Sequence, residues 1–191
     1  MKTAFVIFPR LTVMDFIGVY DPLTRLKSMG LLSEFTWDIC AYAADVVDDK
    51  GLRLTPNMVG RSLAGYDLLV VPGGIGTRVL QHDVFFVDWL RTAEPVKLKA
   101  SVCTGALLLG AAGFLKKKRA TTHRSAFEDL KPYCAHMVDE RVVDEGDVVT
   151  ARGVTSAIDL GLHLVERLAG KDARARIATQ MDYPDDGRTA T

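Results

Sequence analysis

The chain has 191 residues, 48% apolar and 25% charged, which suits one soluble domain with a substantial buried core and leaves little room for a second. Its 24 Lys and Arg balance its 24 Asp and Glu, so no overall charge recruits a polyanion, and neither nucleic acid nor a membrane is an expected partner. Three cysteines, Cys40, Cys103 and Cys134, form no even framework and no CxxC pair, which reads as a protein of the reducing cytoplasm with free thiols.

Strand-like and helix-like stretches alternate along the chain, the pattern of an α/β sheet. Residues 2–8 are an apolar run too short for a signal peptide or a membrane span, and they read as a first strand ended by Pro9. Residues 15–29 have a helical pattern that Pro22 is expected to kink or restart. Residues 35–41 form a strand, and 46–52 a small hairpin turning at Lys50-Gly51. The near-continuous apolar run 66–71 suits a central parallel strand covered on both faces, and 77–93 follows as one helix. Next come a buried strand over 98–102, a helix over 104–112, a short strand over 120–122 and a helix over 125–130. A second hairpin pairs 141–144 with 147–151 through Glu145-Gly146. The amphipathic stretch 155–169 is a helix with Thr155 as N-cap and Gly170 as C-cap. A polar tail spans 184–191. The basic run Lys116-Lys117-Lys118-Arg119 reads as a solvated loop.

The segment Ala100-Ser101-Val102-Cys103-Thr104-Gly105-Ala106 runs from a buried strand straight into a helix, with cysteine at the junction. A residue at such an elbow sits in strained dihedrals and projects at the carboxyl edge of the sheet. The free N–H groups of the following helix should there favour a thiolate over a thiol. A free cysteine is otherwise a small core hydrophobe, and Cys40 and Cys134 are read that way.

Val71-Pro72-Gly73-Gly74-Ile75-Gly76 also joins a strand to a helix. Its spacing is not the GxGxxG of a dinucleotide site, and it is either a tight turn or a source of backbone N–H groups for a developing oxyanion. Asp15 stands among apolar neighbours, where its carboxyl should have a raised pKa; equally, an Asp just before a helix is an ordinary N-cap. His123 closes Arg119-Ala120-Thr121-Thr122-His123, and sequence does not show whether it reaches the thiol. The other histidines, His82, His136 and His163, have no metal-ligand spacing, and no metal is expected.

At these residues the chain resembles the ThiJ/PfpI superfamily, and within it the isonitrile hydratases. The resemblance rests on Ser101-Val102-Cys103-Thr104-Gly105, Leu109-Gly110-Ala111-Ala112-Gly113 and Lys118-Arg119-Ala120-Thr121-Thr122-His123. Met14-Asp15-Phe16, Pro72-Gly73-Gly74, Glu140-Arg141-Val142-Val143, Thr155-Ser156-Ala157-Ile158-Asp159 and Asp182-Tyr183-Pro184 support it across nearly the whole chain. It implies a three-layer sandwich, a mainly parallel sheet between helices, as a homodimer. It implies that Cys103 is the nucleophile, that Asp15 contacts its sulfur as acid and proton donor, and that Thr104 supplies a hydroxyl and an N–H. It also implies that Gly73, Gly74 and Ile75 supply further N–H groups. The substrate is then an electrophilic small molecule, an isocyanide hydrated to an N-substituted formamide, and no cofactor is needed. Two positions depart from that branch. Arg124 follows His123 where the hydratases carry Trp, and Ala151-Arg152-Gly153 replaces a glycine run, so Arg124, Arg152 and Gly153 with His123 are candidates for the mouth of the pocket. The proteolytic PfpI branch has His directly after its cysteine; Thr104 here argues against a local Cys–His dyad.

The same thiol–carboxyl pair also fits a glyoxalase or deglycase acting on dicarbonyls. Outside enzymes, the sensory domain of an AraC-type regulator and a redox sensor oxidised at Cys103 use this fold. The first is disfavoured because no helix-turn-helix segment follows 184.

Overall fold

The structure, a computed structural model, describes residues 1–184; the expected tail lies, apart from Pro184, outside the described residues. In chain order the first half runs β1 (Lys2–Val6), α1 (Val13–Ser28), β2 (Thr36–Ala41), β3 (Val46–Val47), β4 (Arg53–Leu54), β5 (Met58–Val59), β6 (Leu68–Val71), α2 (Thr77–Leu80) and α3 (Val84–Arg91). The second half runs β7 (Leu98–Val102), α4 (Gly105–Ala111), β8 (Arg119–Ala120), α5 (Phe127–Leu130), β9 (His136–Met137), β10 (Val142–Asp144), β11 (Val148–Ala151), α6 (Ser156–Ala169) and α7 (Lys171–Gln180).

Seven strands form one sheet in the order β10-β11-β7-β6-β1-β2-β5, with every neighbouring pair parallel except β10 and β11. The strands β6 and β7 are buried at every residue, as the unbroken apolar runs require for a sheet covered on both faces. One layer is α1 packed on α6 and α7, and the other gathers α2, α3 and α5 on α4. The expected α/β sandwich is therefore present. Both hairpins are too: β3 pairs antiparallel with β4, and β10 with β11. Because β1, β6 and β7 are parallel neighbours, the turns that follow them emerge at one edge of the sheet.

Several boundaries differ from expectation. Residues 77–93 form two helices, because the Asp83 carboxylate accepts the N–H groups of Phe85 (3.0 Å) and Phe86 (3.2 Å) and starts α3 afresh. Pro22 does not restart α1, which continues through it as one 16-residue helix. The segment 120–122 is strand only at Ala120, and the helix expected over 125–130 begins with a 3₁₀ turn, Arg124–Ala126. Thr155 stands at the start of α6 without a side-chain capping bond, whereas Gly170 ends the helix at a φ of 87° as expected. The sequence reading did not find α7. Its composition is mostly polar, and only Ala173 and Ile177 are buried.

Candidate active site

The turns after β1, β6 and β7 bring Asp15, Gly73 and Cys103 together. Cys103 adopts a φ of 54°, a left-handed conformation that side-chain-bearing residues rarely hold without support. Two bonds supply it: the Cys103 N–H donates to the Ala151 carbonyl at 2.9 Å, and Thr122 Oγ1 donates to the Cys103 carbonyl at 2.7 Å. The strained elbow read from the sequence is thus real. Thr122, which the sequence reading did not single out, is one of its two braces.

Asp15 is fully buried in the first turn of α1, three residues past the N-cap position held by Thr12. It is therefore not an N-cap. Its Oδ2 accepts the N–H of Gly73 at 3.0 Å. Its Oδ1 is buried and has no hydrogen-bond partner meeting ordinary geometry among the described residues, and the Cys103 thiol is the side chain that acts on the carboxyl. Gly73 fits between them because it has no side chain. A Cβ there would lie 2.7 Å from Asp15 Oδ2, 2.7 Å from the Thr104 nitrogen and 2.8 Å from Cys103 Cβ. Gly105 likewise turns against the β6 end, where a Cβ would come within 2.3 Å of the Val71 carbonyl.

Burial pushes the Asp15 carboxyl up to about 7, against the pull of the Gly73 N–H and the Cys103 thiol. Burial also pushes the Cys103 thiol up, to about 12, and the charge of Asp15 adds to it, while the Thr104 N–H works the other way. Both shifts run against the thiolate expected at the helix N-terminus. Cys103 is only 6% exposed and α4 is just seven residues long, so desolvation outweighs the local N–H groups. The pair rests as a thiol beside a carboxyl that exchanges its proton near neutral pH, an arrangement able to pass a proton as a sulfur–carbon bond forms.

The predicted backbone donors are mostly occupied. Gly73 N–H serves Asp15, and Gly74 N–H serves Thr104 Oγ1 at 3.0 Å, whose hydroxyl in turn donates to the Gly74 carbonyl at 3.1 Å. These bonds lock the β6 turn to the β7 elbow and occupy the Gly73 and Gly74 N–H groups in this structure. Ile75 is half exposed, and its N–H has no partner among the described residues.

His123 does not meet the sulfur; its Nδ1 lies 2.8 Å from Ser125 Oγ and accepts the Ser125 N–H at 3.2 Å. Gly153 faces the His123 ring, with 3.7 Å from a built Cβ to Cδ2. Arg124 and Arg152 both pair with Asp139. Two surface cavities of about 200 and 190 Å³ lie elsewhere, and neither is lined by Cys103. No helix among the described residues is long and apolar enough to cross a membrane.

The DJ-1/PfpI family pattern matches residues 1–167. The chain is 35% identical to an isonitrile hydratase of Pseudomonas putida over 96% of its own length and 78% of that protein's. It is 31% identical to the protein DJ-1alpha of Drosophila melanogaster, over 94% of this chain and 83% of the relative. A crystal structure of a ThiJ/PfpI family protein from Pseudomonas syringae superposes with a TM-score of 0.86 at 30% identity, covering 99% of this chain and 77% of the other. With the sheet order, the strained elbow and a family match over most of its length, this chain belongs to the DJ-1/PfpI family.

Proposed function

We propose that the protein is a cysteine-dependent hydro-lyase of small molecules, adding water to an isocyanide to give an N-substituted formamide. The observation that carries this reading is the buried Cys103 thiol held beside a carboxyl whose proton exchanges near neutrality. The likeness to an isonitrile hydratase supports the choice of electrophile.

The steps follow from the two groups. As the sulfur attacks the terminal isocyanide carbon, the thiol proton passes to the Asp15 carboxylate, which avoids forming a free buried thiolate. Asp15 then returns that proton to the same carbon, leaving a thioimidate on Cys103. Water adds across its C=N bond, and the resulting tetrahedral adduct collapses with cleavage of the C–S bond. The products are the formamide and the original thiol, so one water is consumed and no cofactor takes part. Thr104 and Gly73 position the pair, and the Ile75 N–H is the one donor of the turn left unpaired among the described residues. The protein acts as a homodimer of the cytoplasm in this reading, which light scattering of the purified protein tests.

Isocyanide consumption followed with formamide appearance by NMR tests the activity. Turnover that disappears in both Cys103→Ala and Asp15→Asn supports the reading; wild-type protein that yields no formamide overturns it. The same pair suits addition to an aldehyde carbon, so methylglyoxal consumption is measured in parallel.

A further inference from the structure

Two guanidinium groups on segments flanking the Cys103 elbow meet at one carboxylate. Arg124 Nη2 lies 3.0 Å from Asp139 Oδ2, and Arg152 Nη1 lies 2.5 Å from Asp139 Oδ1. Both arginines sit on segments bonded to the elbow. Arg152 follows Ala151, whose carbonyl accepts the Cys103 N–H, and Arg124 lies two residues after Thr122, whose hydroxyl holds the Cys103 carbonyl. The segments touch where Gly153 faces the His123 ring. Because β11 runs parallel to β7, its exit through Arg152 into the N-terminus of α6 emerges at the edge where Cys103 stands.

The electrostatics of the cluster are one-sided. Two fixed cations share a single carboxylate, which leaves a net positive charge, and Asp139 is held below the usual carboxylate range by Arg124 and Arg152 in turn. Glu140, next along the chain, is exposed, and no ion pair joins it to either guanidinium among the described residues. The Arg124 side chain is 67% exposed. The positive end of α6 adds to the same field.

We propose that the Arg124–Asp139–Arg152 cluster is an anion subsite that selects electrophiles carrying a carboxylate-sized negative group for attack by Cys103. This deepens the function proposed above and rests on Cys103 being its nucleophile. It makes the substrate an acidic small molecule rather than a neutral one, with its anionic end across the arginines and its reactive carbon at the sulfur.

Paired alkylation of Cys103 tests the subsite without reference to turnover. Second-order rates for anionic iodoacetate and neutral iodoacetamide are measured by mass spectrometry of the Cys103 peptide and expressed as a ratio, with glutathione as the unselective reference. The wild-type ratio is expected to exceed that of glutathione and to fall as salt is added. In Arg124→Gln/Arg152→Gln it should drop about five-fold, the size of one screened charge contact. Arg124→Gln alone, at an exposed side chain outside the core, should give a smaller drop. Asp139→Asn should raise the ratio, a gain that structural damage does not produce. A ratio unchanged by these substitutions, or an equal fall with both reagents, overturns the subsite and leaves the nucleophile intact. A Cys103 inert to both reagents removes the subsite and the proposed function together.

Discussion

Thr122 Oγ1 donates to the carbonyl of Cys103 at 2.7 Å, so the strained elbow is braced from a separate segment of chain. Thr122 is fully buried, and Thr122→Val keeps its shape while removing the donor. The loss of one buried hydrogen bond should cost about 1–2 kcal/mol in urea unfolding. Cys103 alkylation should also change in rate, because the left-handed conformation loses one of its two supports. An unchanged rate would show that the Ala151 bond alone holds the elbow.

Gly73→Ala is expected to be far more damaging to the site than to the fold. The added methyl would meet the Asp15 carboxyl, the Thr104 nitrogen and Cys103 Cβ at once, all under 3.0 Å. Overpacking of this kind costs about 1–3 kcal/mol. Any hydratase activity should fall by about a hundred-fold, the scale of effect a small misplacement of reacting groups produces. Circular dichroism together with the isocyanide assay separates the two effects.

Asp15 gives a stability prediction whose sign follows from its raised proton affinity. Burial takes its folded value from 3.8 to about 7, so the native state binds this proton more tightly than the unfolded chain does. That contribution is fully present below about pH 4 and is lost as pH rises through about 7. Asp15→Asn removes the buried charge and should be more stable than the parent by roughly 2–4 kcal/mol at pH 8, the gap closing towards pH 4. Denaturant melts at the two pH values check it.

The same carboxyl should appear in the reactivity of the thiol. With Cys103 raised to about 12, iodoacetamide needs Asp15 as proton acceptor, so the alkylation rate should climb through about pH 7 and level off. In Asp15→Asn the step near neutrality should vanish, and the rate should keep rising into the alkaline range.

Much of this arrangement could be read from residue order alone. An apolar strand ending in Cys103 and followed by Thr104-Gly105 announces an elbow, and its positive φ bears that out. The raised proton affinity of Asp15 followed from its apolar neighbours, and the choice between buried acid and N-cap fell to the structure, which places the cap one turn earlier at Thr12. The proton affinity of Cys103 is not legible in the sequence, because burial depends on the whole sandwich whereas helix position is local. The engagement of the Gly73 and Gly74 N–H groups is hidden for a related reason. Whether an N–H is free depends on what another strand brings to it, and Asp15 and Thr104 arrive 58 and 30 residues away in sequence. Asp83 broke the expected long helix through a local bond that its identity advertises, and α7 escaped because two buried residues leave little periodicity to detect.

Three strands must be in register before Asp15, Gly73 and Cys103 can meet, and no two of them are supplied by one hairpin. A chain that has formed only local helices and turns holds none of the pair's chemistry. The pair's chemistry consequently depends on the assembled sheet, and heat that melts the sheet should abolish activity with it.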